Sequence, residues 1–522
     1  MKNYKYLVLF LLSLGFVSCD DSGDLDAIVE EVVPVVQLEA NGLNFSKYIS
    51  LGASFTAGFT DGGLFKAAQE NSFPNILAGK FKLANGGDFK QPLMNDNIGG
   101  LLLGGNVIQG PRLFFNGATP QVLSATPTTE VTTPVGGGLN NLGVPGAKSF
   151  HLLAAGYGNV QGVALGLANP YYARMATSPT ATVLGDAMAQ QPTFFTLSEI
   201  GGNDVLGYAT SGGSGVDQSP SAANPTGNLD PSTYGGNDIT NPLVFKNVFS
   251  NLVTTLTSGG AKGVVANVPY ITTLAHFTTV PYNPVPLDAA TAGLVNGAYA
   301  PYNGGIQQAF GTLVQLQVMT QAQADAEIAK RTINFSAGQN AVVIVDENLT
   351  DLEAINPAFA GLKQYRQATS DDLLVLTSSS FIGTLADPNN PLSINGVAVP
   401  LADRWVLTPE EQLAIKTATD AYNQAIDEVV ASNPNIALVD FKGVLQEASM
   451  GISFDGYNMT TKLVTGGLIS LDGVHLTARG YALMANKILA AMDAKFGSNF
   501  TKATNGLAKA GDYPTNFSPM LR

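Results

Sequence analysis

The chain has 522 residues, of which 45% are hydrophobic and 13% charged, and its formal net charge is −14. This acidic balance argues against a protein that binds nucleic acid, because such proteins present a basic face. The length and apolar fraction allow one large or two ordinary domains with a substantial core, and the 57 glycines and 28 prolines indicate many turns and long loops.

The first residues have the pattern of a secretory signal, with a basic start and an apolar run at 7–17 that ends before Ser18 and Cys19. The run is too short to span a bilayer. Cys19 is the only cysteine, so no intramolecular disulfide can form. Its position resembles the lipobox of bacterial lipoproteins, in which this cysteine is acylated; the alternative is a cleaved signal with an incidental cysteine. We therefore expect a signal peptide over residues 1–18 and a lipid-anchored protein of the bacterial envelope, at the periplasmic or surface face of the outer membrane.

An acidic segment follows, with seven acidic residues and no basic one between Asp20 and Gly42. This composition predicts a solvated tether over residues 19–42. Such a segment also resembles the export signals of some surface-displayed lipoproteins, and a plain spacer is the alternative.

Runs of β-branched and apolar residues bounded by turn residues predict the strands of a sheet. The predicted strands cover residues 48–51, 193–200, 263–268 and 436–440. Helical patterns begin at Ser72, with Pro74 in the first turn, cover 242–258 and 409–432, and begin again near Thr477. Strands that alternate with helices predict an α/β fold with a parallel sheet and helices on both faces.

Three segments interrupt this alternation, near residues 86–138, 205–241 and 278–405. The first is rich in Gly, Thr and Pro and predicts loops and short hairpins. The last predicts an added cap, with a possible strand at 342–346. We therefore expect one domain over residues 43–522 that carries these three insertions.

Four short blocks near the ends of predicted strands hold residues that could perform chemistry, at the place where open α/β sheets bind ligands. In the first block, residues 51–58, two glycines bracket Ser54; a strand ending in a sharp turn can hold a hydroxyl clear of the backbone, and an ordinary strand-to-helix turn is the alternative. The second block, residues 141–147, predicts a tight turn whose glycine N–H could point into a cleft. The other blocks are residues 200–204 and 471–475.

Ester hydrolysis by acyl transfer needs a nucleophile, a base, a group that orients the base, and donors for the oxyanion. Ser54 can be the nucleophile and His475 the base. Asp472 stands three residues before His475, a spacing that one helical turn brings onto the same face, so its carboxylate can orient the imidazole. The amide of Asn203 and the N–H groups of Gly146 and Ser54 can form an oxyanion hole.

In this order the blocks resemble those of the SGNH/GDSL hydrolases, with serine in the first, glycine in the second, asparagine in a Gly-x-Asn-Asp third and Asp-x-x-His in the fourth. The resemblance covers most of residues 45–270 and 408–495. It implies a three-layer, flavodoxin-like α/β fold. It also implies catalytic roles for Ser54, Asp472 and His475, and oxyanion roles for Ser54, Gly146 and Asn203. Ala53 departs from the family, which usually has an aspartate there, and the change removes a carboxylate that could brace the turn.

The resemblance implies a serine carboxylic-ester hydrolase of the lipase or esterase type that forms an acyl-enzyme on Ser54 without a cofactor. The apolar insertions at 101–115 and 278–405 favour an acyl lipid as substrate. The alternatives are a carbohydrate O-acetyl esterase of the same family and a catalytically silent surface lipoprotein that binds such ligands.

The remaining candidates indicate structural roles. The three histidines and single cysteine show no metal-ligand spacing, and no glycine-rich phosphate motif is present, so we expect no metal and no cofactor. His151 is expected to cap or pack a helix, with a ligand role as the alternative, and His276 to be a satisfied structural histidine, with cleft lining as the alternative. Trp405 is expected to be a packing anchor, with a substrate platform as the alternative.

Overall fold

A five-stranded parallel sheet lies at the centre of the computed structural model, which describes residues 35–522. Its strands are β1 (Tyr48–Gly52), β2 (Asn141–Gly143), β3 (Phe194–Leu197), β4 (Lys262–Ala266) and β5 (Ile436–Val439). Their spatial order is β2-β1-β3-β4-β5, and all neighbours are parallel. This is one of the common orders of doubly wound sheets, in which ligands bind where the order reverses, between β1 and β3. The predicted α/β class with a parallel sheet is confirmed.

Both faces of the sheet are covered. Every residue of β1, β2 and β3 is buried, and successive side chains of a strand point to opposite faces, so cover on one face alone could not produce this pattern. The four predicted strands are present within a few residues of their expected ends. The interpretation of residues 141–147 as only a tight turn is wrong, because Asn141–Gly143 pairs with β1; this edge strand has three residues and no β-branched side chain to signal it.

The register brings the carboxyl ends of three strands to one edge of the sheet. Gly52 lies opposite Gly143, and Leu51 lies opposite Leu197. The chain segments that follow these strands therefore leave the sheet side by side, and they contain the first three sequence blocks.

The predicted helices are confirmed with small shifts at their ends. The helices of eight or more residues are Phe73–Phe81, Asn203–Thr210, Pro242–Thr257, Ala289–Gln315, Gln321–Arg331, Pro409–Ser432, Phe441–Met450 and Ala478–Phe496. Shorter ones are Ser54–Ala57, Lys66–Glu70, Val160–Val163, Pro170–Ala173, Val183–Met188, Ala275–Thr278 and Leu352–Ile355. Their start signals act as expected: the Thr477 hydroxyl accepts from Gly480 N at 3.0 Å, and Glu411 Oε2 accepts from Thr408 N at 2.6 Å in a capping box.

The first and the last of the three predicted insertions contain short antiparallel strand pairs. Two hairpins lie in the first, Leu101–Leu103 with Asn106–Gln109 and Leu113–Phe115 with Pro120–Val122. The predicted cap contains the antiparallel pairs Val285–Leu287 with Gly338–Asn340, Val343–Val345 with Tyr365–Gln367, and Leu373–Leu374 with Val406–Leu407. A further pair outside these insertions is Ile452–Phe454 with Tyr457–Met459. The expected strand at 342–346 is confirmed, whereas the 27-residue helix Ala289–Gln315 was not predicted.

The cap has a hydrophobic cluster separate from the one that encloses the sheet. Trp405 packs against both clusters and stacks on Phe381 with ring centroids 4.8 Å apart. The packing role expected of Trp405 is therefore confirmed.

Two expectations concern the N-terminal region. The signal peptide, Cys19 and the tether up to residue 34 lie outside the described residues. From residue 35 onward, no helix combines the length and the apolar character that crossing a bilayer requires.

Candidate active site

Ser54 lies in the turn that follows β1. It is the first residue of the short helix Ser54–Ala57 and is 7% exposed. Gly52, just before the turn, has no room for a side chain, because a Cβ there would lie 2.1 Å from Thr56 Oγ1 and 2.7 Å from Ser198 O. The turn can therefore be this tight only with glycine at 52.

A chain of two hydrogen bonds joins Ser54 to the last sequence block. His475 Nε2 lies 2.9 Å from Ser54 Oγ, and His475 Nδ1 lies 2.9 Å from Asp472 Oδ2. The rings of Phe55 and Phe59 flank the imidazole, with centroids 5.5 and 4.6 Å away. The structure thus brings the three residues with expected catalytic roles into the order nucleophile, base and orienting carboxylate.

The segment that holds Asp472 and His475 is a turn, so the expected helical geometry is wrong. Asp472 Oδ1 accepts from Val474 N at 2.9 Å and from His475 N at 2.8 Å, an arrangement typical of Asx turns. Gly473 has φ 79°, which favours glycine. The carboxylate folds back on its own backbone, and this brings it to the imidazole.

The electrostatics of Asp472 favour the ionised form. Burial alone would raise the pKa of Asp472, but the adjacent His475 ring and the backbone N–H donors outweigh burial and hold this pKa well below its usual range. Gly62 N donates a further hydrogen bond to Asp472 Oδ2 at 2.8 Å. Asp472 is therefore ionised at neutral pH and can stabilise a protonated imidazole.

A turn that sequence reasoning missed holds the first and last blocks together. Asp61 Oδ1 accepts from Leu471 N, and Asp61 N donates to Ser470 Oγ, both at 3.1 Å. Together with the bond from Gly62, these contacts fix the Asp472 turn relative to Ser54. The Asp-Gly pair at 61–62 is a recognisable turn signal, but nothing in the sequence indicates its partner.

The expected oxyanion donors lie around the carboxyl ends of β1, β2 and β3. Asn203 and Ser54 border the same cavity. Asn203 Nδ2 donates one hydrogen to Ala147 O at 2.9 Å, which leaves its second N–H available. Gly146, next to Ala147, has φ 81° and borders a neighbouring cleft. Within the described chain, neither Gly146 N nor Ser54 N has an acceptor.

Asp204 fixes the second block against the third. Its carboxylate accepts from Ser149 N at 2.9 Å and from Ser149 Oγ at 2.7 Å, and its side chain is fully buried. Because Ser149 closely follows Gly146 and Asp204 follows Asn203, these bonds set the spacing of the two donor segments.

Glu199 is the residue at this site whose role the sequence did not indicate. Its Oε1 accepts from Ala53 N at 2.5 Å and from Thr56 N at 2.9 Å, so the carboxylate spans the turn that presents Ser54. Ala53 has no carboxylate of its own, and Glu199 supplies one from the end of β3. Glu199 has φ 48°, an uncommon conformation for a residue other than glycine. The sequence gives no sign of this φ angle, so it did not indicate that Glu199 bonds the turn that presents Ser54.

A mostly apolar cavity of about 110 Å³ borders Ser54 and Asn203. Its apolar lining includes Leu206, Val268, Val444, Leu445 and Leu483. None of its lining residues lies in the insertions at 101–115 or 278–405, so the cavity adds nothing to the expectation of an acyl-lipid substrate that was drawn from those insertions. The apolar side chains of the cap pack in clusters of their own instead.

The other two histidines lie outside the hydrogen-bonded chain. His151 Nδ1 accepts from Lys148 N at 3.0 Å, and the ring stacks on Tyr157 with centroids 4.3 Å apart, as expected of a packed, capping histidine. Burial lowers the pKa of His151 to about 4, so the ring is neutral. His276 is buried, and its backbone N donates to Gly473 O at 2.9 Å, next to Asp472. Among the described residues neither ring nitrogen of His276 has a hydrogen-bond partner, so the expectation of a satisfied structural histidine is wrong.

Comparison of the chain with protein families, with curated proteins and with solved structures finds no match. The geometry of the site alone therefore indicates which reaction its residues could perform. A buried hydroxyl bonded to an imidazole, an ionised carboxylate behind it, unengaged N–H donors and an apolar cavity together provide what acyl transfer from an ester requires.

We predict that Glu199 makes the protein less stable as pH rises. Burial raises the pKa of Glu199 to about 7 against the opposing N–H bonds from Thr56 and Ala53. The folded chain keeps this proton where the unfolded chain has lost it, so the free energy of unfolding falls as pH rises from about 4.5 to about 7, by up to about 3 kcal/mol. Glu199→Gln keeps an acceptor for both N–H groups and removes the charge.

Urea unfolding of the wild type and of Glu199→Gln across this pH range measures the effect. Other buried carboxyl groups titrate alike in both proteins, so the difference between the two curves isolates Glu199. The variant should gain stability relative to the wild type as pH rises. Parallel curves would show that ionisation of Glu199 does not lower the free energy of unfolding.

Proposed function

We propose that this protein is a serine carboxylic-ester hydrolase of the SGNH type, with the three-layer flavodoxin-like fold of that family. The observation that carries the proposal is the hydrogen-bonded chain from Asp472 through His475 to Ser54. The strand order β2-β1-β3-β4-β5 agrees with the flavodoxin-like order. The positions of Asn203 and Gly146 around the same sheet edge add to this support.

In the first half of the reaction, Ser54 Oγ attacks the ester carbonyl carbon while His475 Nε2 takes the hydroxyl proton. The carbonyl oxygen becomes an oxyanion, which the N–H groups of Ser54 and Gly146 and the free amide hydrogen of Asn203 stabilise. The imidazolium then gives its proton to the leaving alkoxide, and the C–O bond to the alcohol breaks. Asp472 stabilises the imidazolium throughout without taking a proton.

In the second half, water replaces the alcohol. His475 takes a proton from this water as it attacks the acyl carbon, and the oxyanion forms a second time at the same donors. Its collapse breaks the bond to Ser54 Oγ, which recovers its proton from His475, and the carboxylic acid leaves. No cofactor takes part in either half.

The cavity beside Ser54 favours an acyl group longer than acetyl. Its volume of about 110 Å³ is several times the roughly 10–15 Å³ that one water needs on the same measure, and a water is close in size to a methyl group. Its mostly apolar lining also suits hydrocarbon better than a sugar. Carbohydrate O-acetyl ester hydrolysis and ligand binding without turnover are the outcomes against which this proposal is tested.

We predict a graded loss of ester hydrolysis across the site. Ser54→Ala should lower turnover by roughly four to six orders of magnitude, and His475→Ala by about as much, because the hydroxyl then lacks its base. Asp472→Ala should cost less, since it only orients and stabilises the ring. Asn203→Ala should cost about 2.7–4 kcal/mol of transition-state stabilisation, as one oxyanion donor does.

Steady-state kinetics with a nitrophenyl ester measures these losses, and the exposed Ser46→Ala is the matched control for a serine change near β1. Ser46→Ala should keep wild-type turnover. Full activity in Ser54→Ala would reject the mechanism. A wild type without activity towards nitrophenyl esters of any acyl chain length would favour a protein that binds such ligands without turnover.

We predict that the cavity beside Ser54 binds the acyl chain and determines which chain lengths react fastest. Each methylene buried there should contribute about 0.8 kcal/mol, so kcat/KM should rise up to about fourfold per carbon until the cavity is full. Val444→Phe narrows the cavity and should end this rise at a shorter chain, while acetyl esters react as before.

The control is Met450→Phe, which adds an aromatic ring at the end of the same helix, where Met450 is 81% exposed. It should leave the chain-length profile unchanged. Identical profiles in Val444→Phe and the wild type would place the acyl chain elsewhere, and activity confined to acetyl esters would favour glycan deacetylation.

A further inference from the structure

Three carboxylates converge where the cap meets the body of the protein. One oxygen each from Glu347, Asp403 and Glu411 lies within 4.8 Å of the other two. Glu347 closely follows the cap strand Val343–Val345, Asp403 stands before Trp405, and Glu411 lies in the first turn of the helix Pro409–Ser432. None of them borders the cavity at Ser54.

The most buried of the three is incompletely bonded. Glu411 is 3% exposed, and its Oε2 accepts from Thr408 N and Oγ1 at 2.6 and 2.8 Å. In the part of the chain that the structure describes, Glu411 Oε1 has no hydrogen-bond partner, and neither does the buried Asp403 Oδ1. Buried carboxylate oxygens without partners are costly, so this group requires a ligand or bound protons.

The backbone opposite Glu411 leaves no space for a side chain. A Cβ on Gly213 would lie 1.7 Å from Glu411 Oε1, and this glycine has φ 81°. The unpartnered oxygen therefore packs directly against the backbone at residue 213, a position that has to be glycine.

Two acidic residues near the cluster, Asp346 and Asp372, have a counter-charge. Arg366 Nε lies 2.5 Å from Asp346 Oδ2, and its Nη1 and Nη2 atoms each lie 2.7 Å from an oxygen of Asp372. Over residues 35–522, no lysine, arginine or histidine lies within 4.0 Å of the carboxylates of Glu347, Asp403 or Glu411. The cluster of three thus lacks the counter-charge that the residues beside it have.

Burial favours the neutral forms of Asp403 and Glu411 by raising the pKa of each, and repulsion from the Glu347 carboxylate adds to both shifts. The three carboxylates are therefore costly to keep ionised together without a counter-charge.

We propose that Glu347, Asp403 and Glu411 bind a divalent cation of the calcium type, which joins the cap to the helix Pro409–Ser432. Three carboxylates without histidine or cysteine are ligands for a hard cation rather than for zinc. Ca²⁺ binds oxygens at about 2.3–2.6 Å, so opposite ligands are about 5 Å apart, and the spread of these oxygens fits that span. Water and backbone carbonyls would complete the shell. This site is independent of the proposed ester hydrolysis.

The spacing of histidine and cysteine, on which the expectation of no metal depended, gives no sign of this site. These carboxylates come from separate elements, and only the fold brings them together. The cation would fix the cap against the body at Trp405, which packs against the hydrophobic clusters of both.

The single tryptophan of the chain supplies the test. Trp405 closely follows Asp403, so Tb³⁺ bound at the cluster should luminesce on excitation of Trp405, with a saturable signal that Ca²⁺ displaces. Glu411→Gln and the half-buried Asp403→Asn should each weaken Tb³⁺ binding by at least about tenfold. Glu410→Gln removes an exposed charge from the same helical turn and should bind like the wild type.

A second measurement covers the case of a variant that folds poorly. Ca²⁺ should raise the melting temperature of the wild type and of Glu410→Gln, but not that of Asp403→Asn. No saturable Tb³⁺ signal in the wild type, or equal affinity in all four proteins, would overturn the proposal. A more stable Glu411→Gln combined with no effect of Ca²⁺ on the wild type would show that the carboxylates share protons instead.

Discussion

The hydrogen bond between His475 Nε2 and Ser54 Oγ joins two segments at opposite ends of the chain, and the arrangement of the site depends on it. It can form because β1 occupies the position at which the strand order reverses, so the turn after β1 opens into the cleft at that edge. The contacts of Asp61 and Gly62 with residues 470–472 then fix the second segment. Each half of the site has hydrogen bonds of its own, and these few polar contacts set the position of one half relative to the other.

The sequence allowed prediction of the elements that carry strong local signals. The apolar strands, the helices with Pro or Thr at their starts and the four blocks were found because periodicity and capping act over a few residues. It did not reveal β2, whose three residues are a strand only because β1 lies beside them. The bracing by Glu199 and the carboxylate cluster at the cap also stayed hidden, since both depend on side chains from separate elements. Asp472 and His475 were paired correctly, although the expected helix is an Asx turn.

Ala53 illustrates how a local departure can be offset by a residue elsewhere in the fold. The family that the blocks resemble usually has aspartate at this position, and its loss left open a silent binding protein. Glu199 provides a carboxylate for the same turn from the adjacent strand end, through Ala53 N and Thr56 N. The turn that presents Ser54 therefore has a carboxylate that braces it, and the departure alone gives no reason to expect inactivity. This bracing leaves a buried acid whose pKa is near neutrality.

The central claim is that Ser54 is a nucleophile activated by His475, and covalent trapping tests it without knowledge of the physiological substrate. The full-length protein is treated with a fluorophosphonate, and the modified residue is located by peptide mass spectrometry. The account predicts one phosphonyl group per chain, attached to Ser54, with labelling that slows by orders of magnitude in His475→Ala. Wild-type protein that remains unlabelled, or that carries the label on another serine, would contradict it.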